Sequence, residues 1–302
     1  MLSPLLNIKI TITEPMTTNL LSNSVEYQCK ENLNLYDSPQ CDRLATQAAA
    51  GRHLRLQQQD LNVDRDRSTA IRVQLCEDDY PAWLAIADMD QIKPAPCPYQ
   101  PQVISPEIIQ QRLPQVITFT HQAMKTPNQY LWGGTVGPNY DCSGLMQAAF
   151  ASVGIWIPRD AYQQQAFAQA VPLFVDSLSE KEDVIRTLPT RTPDYTSVKP
   201  YSTSNNPPGI AQAKENSIKI VLSYLQPGDL VFFGPESQAT HVGLYLGDGL
   251  YIHSSGADLG RNGIGIDVLS EQGNQVSQAY YQQLQGAGRI IASYSLLNLS
   301  IF

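Results

Sequence analysis

Cysteine is scarce in this chain and odd in number: Cys29, Cys41, Cys76, Cys97 and Cys142 are the five among 302 residues. A framework of fully paired disulfides is therefore excluded, at least one thiol is free, and the sparse usage leans toward a reducing compartment. The first four thiols form no C-x2-C pair, so no zinc site is expected and no metal or cofactor is implied. Long apolar runs are missing as well; none approaches the roughly 18 residues of a membrane span. Positive charge is in deficit. Twenty Lys and Arg against 28 Asp and Glu leave −8, which argues against a broad electropositive face for nucleic acid. The N-terminal stretch also lacks a basic n-region and a small-residue cleavage site, and Pro4, Asn7 and Lys9 interrupt its apolar runs. No signal peptide is read there, so the expected location is the cytoplasm, with the periplasm or cell wall as second choice.

What is present is the composition of a globular protein, 42% hydrophobic and 16% charged, over a length that predicts about two domains. Residues 1–24 read as a polar arm with one strand at 8–12. From 25 to 93 short β-rich runs at 26–29, 33–36, 53–56, 70–75 and 82–87 predict a small barrel. Pro94, Pro96 and Pro98 then stiffen a connection, taken as a linker over 94–103. Beyond it, Ser105-Pro106-Glu107 starts a helix, and Pro114 either kinks that helix or opens a second one running to about Lys125. Leu145, Met146, Ala149, Phe150 and Val153 recur at helical spacing over 142–153, stopped by Gly154. After Gln226 the period falls to two, with strands predicted at 230–233, 241–246, 250–254 and 265–268. Helices followed by strands predict an α+β fold over 104–302. An insert at about 172–225 interrupts it, and its five prolines over 187–209 mark an exposed excursion rather than core.

Asp141-Cys142-Ser143-Gly144 falls at a predicted helix start. With Asp141 as N-cap, Cys142 lies in the first turn, where free backbone N–H groups favour a thiolate. An isolated cysteine is more often simply a small buried side chain; the histidines overturn that reading. His241 and His253 sit on adjacent strands joined by Gly247-Asp248-Gly249. A three-residue loop places Leu246 opposite Leu250 and His253 opposite Gly243, with both imidazoles on one sheet face. A two- or four-residue loop would split them across the sheet. A base oriented by a second polar group suits this arrangement, with His241 moving the thiol proton and His253 fixing its tautomer. His53 and His121 have no such company.

In order along the chain, Tyr130-Leu131-Trp132-Gly133-Gly134, Asp141-Cys142-Ser143-Gly144-Leu145, Pro158-Arg159-Asp160, Pro227-Gly228-Asp229-Leu230-Val231-Phe232-Phe233, His241-Val242-Gly243-Leu244-Tyr245 and Tyr251-Ile252-His253 resemble the NlpC family of bacterial cell-wall cysteine peptidases. The resemblance covers about residues 104–292, the insert excepted. It implies a papain-like fold of helices packed on an antiparallel sheet, with Cys142 as nucleophile, His241 as base and His253 as third polar residue. Leu33-Asn34-Leu35-Tyr36, Gly51 and Trp83-Leu84-Ala85 are similar to bacterial SH3-like barrels, which precede such domains. The joint layout resembles γ-D-glutamyl-L-diamino-acid endopeptidases. That likeness implies a murein stem peptide of the L-Ala-γ-D-Glu-diaminopimelate type as substrate, with a free L-Ala amine, the SH3-like domain closing the pocket, Asp141 and Ser143 contacting the peptide, and Tyr130 near the thiolate. A silent peptide-binding module and an acyltransferase using the same Cys/His site are the two rival classes.

Overall fold

The computed structural model describes residues 25–56, 69–171, 222–259 and 261–295. The strand expected at 8–12 and the insert as far as residue 221 lie outside the described residues.

Alternation of buried and exposed side chains builds the first sheet. In β2 (Leu33–Tyr36) the two leucines turn inward, and in β5 (Ala70–Leu75) Ile71, Val73 and Leu75 are buried while Arg72 and Gln74 are not. With β1 (Glu26–Cys29), β3 (Leu44–Ala48), β4 (His53–Leu56), β6 (Pro81–Ala85) and β7 (Ile92–Pro94) they form a seven-stranded sheet in the order β3-β2-β6-β5-β4-β1-β7. Its core includes Leu35, Leu54, Val73, Leu75 and Leu84. Two strands of this sheet were not foreseen. β3 carries Thr46 and Gln47 amid alanines, a composition with little β signal that is held by pairing with β2. β7 carries the sheet into the expected linker. Pro94 faces Tyr27 there, and as the last residue of an edge strand it costs the ladder no donor.

The second unit opens with α1 (Pro106–Lys125), capped by the Ser105 side chain accepting from the Ile108 N–H, with proline at the start. It runs unbroken through Pro114, so no second helix begins there. Next come α2 (Cys142–Ala151), α3 (Ala161–Phe167) and β8 (Gln169–Ala170). Then β9 (Leu230–Phe233), β10 (His241–Gly247), β11 (Leu250–Ser255), β12 (Gly263–Val268), α4 (Gln275–Tyr281) and β13 (Leu284–Arg289) complete an α+β fold, its six strands ordered β12-β11-β10-β9-β13-β8. The sheet is covered on both sides. Leu230, Phe232, Val242, Leu244 and Ile252 pack with α1 and α2, whereas Val231, Phe233, Tyr245 and Tyr251 pack with Val276 and Tyr280 of α4. That double burial explains the continuous apolar run of β9.

The β10–β11 hairpin closes differently from the three-residue loop expected. Leu244 pairs with Ile252 and Tyr245 with Tyr251, but Gly247, not Leu246, faces Leu250, with a register shift between Tyr245 and Gly247. The turn is therefore the two residues Asp248 and Gly249, both at positive φ (51° and 76°), as a tight hairpin turn requires. Such a turn alone would have put the histidines on opposite faces. The extra residue at Leu246 restores the parity, and Gly243 ends up beside His253 as the sequence predicted: a Cβ on Gly243 would lie 3.3 Å from that of His253.

Polar side chains tie the two units together. The Gln47 side-chain carbonyl accepts from the N–H groups of Thr135 and Val136, both at 3.1 Å, and the Gln147 amide donates to Asp78 at 2.7 Å. The Arg52 guanidinium lies 4.6 Å above the Trp156 ring.

Candidate active site

Asp141 begins α2 by the mechanism its residue type predicts, accepting from the Gly144 N–H at 2.6 Å. Gly144 has to be glycine, because a Cβ there would be driven into the Gly134 carbonyl. The same carboxylate also accepts from the Gly133 N–H at 2.8 Å and from Ser143 Oγ at 3.3 Å. Arg159 grips it with both terminal nitrogens, at 3.1 and 2.5 Å. That guanidinium, 2% exposed, donates further to Ser143 Oγ at 2.9 Å and, across the boundary between the units, to Thr46 Oγ1 at 2.9 Å. Asp141 and Ser143 are thus joined in one buried clamp. Arg159 stood in the sequence motif, but a buried guanidinium is read from structure, not from residue type.

The clamp sets Cys142 at the first turn of α2. The β10–β11 ladder begins at Leu244 and Ile252, and the Val242 N–H beyond it is given to the Cys142 thiol. The sulfur therefore lies beside the strand residue that follows His241. Burial pushes the thiol up to about 12 and the Asp141 charge adds to this, while the N–H groups of Val242 and Ser143 pull the other way. The helix end was expected to favour the thiolate; burial outweighs it.

Both imidazoles occupy the α4 face of the sheet. His241 stacks on Tyr280 at 4.1 Å between ring centroids, and His253 meets Tyr280 edge-on at 5.0 Å. His241 Nε2 is 2.7 Å from His253 Nδ1, which leaves His241 Nδ1 as the nitrogen not committed to the pair. His253 Nε2 lies 2.8 Å from Asp267 Oδ2. Neither Tyr280 nor Asp267 was singled out in the sequence: both reach the histidines from elements that follow the recognisable motifs. Burial drives His241 well below 6.5, with His253 adding to the effect, and burial lowers His253 as well despite Asp267.

Cys142 opens into a cleft of about 300 Å³ built from both units, lined by Asp37, Arg43 and Tyr80 of the first and Tyr130, Ser143 and Asp160 of the second. Burial first, then the charges of Cys142 and Asp141, raise Tyr130 and keep its hydroxyl protonated. Tyr80 donates to Asp160 at 3.5 Å. Among the described residues no cluster of three potential metal ligands occurs, and no helix is long and apolar enough to cross a membrane.

A cysteine at a helix start, an imidazole pair on the adjoining strands and a preceding small β-sheet unit define a class of two-unit α+β proteins with a thiol–imidazole centre. The NlpC/P60 family profile matches residues 127–284, more than half of the chain, and the profile described as the bacterial dipeptidyl-peptidase SH3 domain matches residues 35–89. The chain belongs to the NlpC/P60 family, whose peptidases are cysteine peptidases, and carries an SH3-like domain of the bacterial dipeptidyl-peptidase type. It is 30% identical over 132 residues to a gamma-D-glutamyl-L-lysine dipeptidyl-peptidase of Bacillus cereus, covering 43% of this chain and 25% of that protein. It is 43% identical over 161 residues to a probable endopeptidase p60 of Listeria grayi, covering 53% of this chain and 20% of that protein. The chain thus spans less than a third of the length of these curated relatives. A crystal structure of an NlpC/P60 family protein from Bacillus cereus aligns with a TM-score of 0.39 at 22% identity, over 89% of this chain and 64% of that one.

Proposed function

We propose that the chain is a cysteine endopeptidase that hydrolyses the amide between the γ-carboxyl of D-Glu and an L-diamino acid in murein stem peptides. The observation that carries the reading is the 2.7 Å contact of His241 Nε2 with His253 Nδ1, on the strand whose next residue holds the Cys142 thiol. In this mechanism His241 Nδ1 takes the thiol proton as Cys142 Sγ bonds to the carbonyl carbon. The resulting oxyanion meets the protonated Tyr130 hydroxyl and the Cys142 backbone N–H; one such donor is worth roughly 3–4 kcal/mol. His241 then returns the proton to the leaving amine as the C–N bond breaks. Water, deprotonated by the same nitrogen, releases the γ-carboxylate from the thioester and restores the thiol.

Burial raises the Cys142 thiol and lowers the His241 imidazole, so in this reading proton transfer accompanies attack. His241 works as a base only when unprotonated, and its buried imidazole resists protonation below 6.5. The expected kcat/KM therefore holds its plateau as pH falls through 6.5 and declines only at lower pH. An acid limb at or above 6.5 in the free enzyme would remove His241 from the role.

The substrate assignment is supported by the cleft. The first unit contributes Asp37, Arg43 and Tyr80 to its lining, in keeping with a short peptide held between the two units. Asp141 has its acceptor positions taken up by protein donors and its charge answered by Arg159, so its contribution to substrate is to hold Ser143 and Cys142. Asp160, which lines the cleft, accepts a long bond from Tyr80 and caps the start of α3, is the carboxylate assigned to an L-Ala ammonium. Mass spectrometry of digests of L-Ala-γ-D-Glu-diaminopimelate and its N-acetyl form tests this. A charge-assisted hydrogen bond is worth roughly 1.5–3 kcal/mol, so acetylation or Asp160→Asn is expected to lower kcat/KM by about ten- to a hundredfold. Equal rates on both peptides would show that the amine is not read.

A further inference from the structure

We propose that Asp267 is a positioning residue which, acting through His253, decides which nitrogen of His241 carries its proton. The inference rests on His241 being the base for Cys142 and goes one residue beyond the imidazole pair. An ionised carboxylate only accepts hydrogen bonds, so the nitrogen facing Asp267 Oδ2 at 2.8 Å, His253 Nε2, must be the donor. A neutral imidazole has one N–H, which leaves His253 Nδ1 bare. Its neighbour at 2.7 Å, His241 Nε2, must then donate to it. The consequence reaches the sulfur: His241 Nδ1 is left with a free lone pair, the one arrangement in which it can accept the thiol proton. Two neutral imidazoles alone could exchange roles, with both protons on the opposite nitrogens, and in that arrangement His241 Nδ1 carries a proton and cannot act as base.

The surroundings of Asp267 fix this choice. On β12 it lies opposite Tyr251, and His253 lies opposite Gly265, so the carboxylate reaches His253 diagonally across the strands. The absence of a side chain at Gly265 leaves room for the Arg261 guanidinium, which a Cβ there would strike. Arg261 donates to the same oxygen, Oδ2, at 2.6 Å. The other oxygen, Oδ1, accepts from Asn274 Nδ2 at 2.9 Å and Ser277 Oγ at 3.2 Å, both at the start of α4. Among the described residues, the phenols of Tyr251 and Tyr280 also lie on this face, and burial raises them and keeps them neutral. Burial also works against ionisation of Asp267 itself, but the bonds from His253 and Asn274, together with the charge of Arg261, outweigh it, and the group is brought down to about 2. A carboxylate ionised throughout the neutral range cannot turn round and donate.

Asp267→Asn tests the lock because the amide can donate to His253 Nε2 and reverse the whole chain of bonds. In a serine protease triad the equivalent exchange costs roughly ten-thousandfold in kcat through the wrong tautomer. Here, one imidazole further from the nucleophile, the expected loss is about a hundred- to ten-thousandfold in kcat with KM little changed, and Asp267→Glu recovers most of it. Nitrogen-15 spectra supply a readout that a merely structural role would not move. In the parent His253 Nε2 and His241 Nε2 carry the protons, and in Asp267→Asn they shift to the Nδ1 positions. An Asn variant with kcat within threefold of the parent, or a parent with His253 Nδ1 protonated, overturns the proposal. The same spectra recorded on Cys142→Ala separate the two readings: residual turnover there would refute Cys142 as nucleophile, while the tautomer of His253 would still decide the role of Asp267.

Discussion

Cys142→Ala leaves a folded protein that releases no diamino acid from L-Ala-γ-D-Glu-diaminopimelate. The expected loss is large because the machinery acts as a unit: removing the nucleophile of a comparable triad costs about a millionfold in kcat. His241 and His253 would retain their mutual bond, but no sulfur would remain for them to serve. The structural cost is small. Alanine fits a site that is 6% exposed, α2 keeps its Asp141 cap, and what is lost is the contact between the thiol and the Val242 N–H. One buried donor left unpaired costs about 1–3 kcal/mol. Circular dichroism and a melting curve close to the parent's, together with product release below detection by mass spectrometry, are the expected pair of results. Turnover within a hundredfold of the parent would refute the nucleophile assignment whatever the substrate proves to be.

The cysteine at a helix start and the imidazole pair on one sheet face were legible because local rules put them in place. Asp141 at the N-cap and alternation along β10 and β11 need only a few neighbouring residues to be read. Register was harder. The length of the hairpin loop was misread, and the imidazoles still share a face only because a bulge at Leu246 offsets the shorter turn. Nothing in the dipeptide Asp248-Gly249 announces that bulge. Asp267 and Tyr280 escaped for a different reason. Each acts through contacts with residues many positions away, and an aspartate in a strand or a tyrosine in a short helix has no periodic signature of its own. β3 was missed because its alanines and polar residues gain strand geometry from pairing with β2 rather than from intrinsic preference.

The clamp around Arg159 predicts the largest stability change. Arg159→Met would keep much of the side-chain volume and remove the charge, leaving the Asp141 carboxylate buried with no cation. Breaking a buried pair from one side typically costs 3–5 kcal/mol, far more than a surface pair. At roughly 2–4 °C per kcal/mol for a chain somewhat shorter than this one, the expected fall in Tm is on the order of 10 °C. The loss spreads beyond the pair, since Ser143 Oγ and Thr46 Oγ1 each lose a donor. Asp141→Asn in the Arg159→Met background should recover part of the stability, because the amide removes the unpaired charge and keeps an oxygen for the cap of α2. Lysine at 159 should recover less than arginine provides, as one ammonium cannot span both carboxylate oxygens and still reach Thr46. Activity should fall in all these variants, through the loosened start of the helix that holds Cys142. If Arg159→Met melted with the parent, the buried clamp would not be what fixes the turn that carries Cys142.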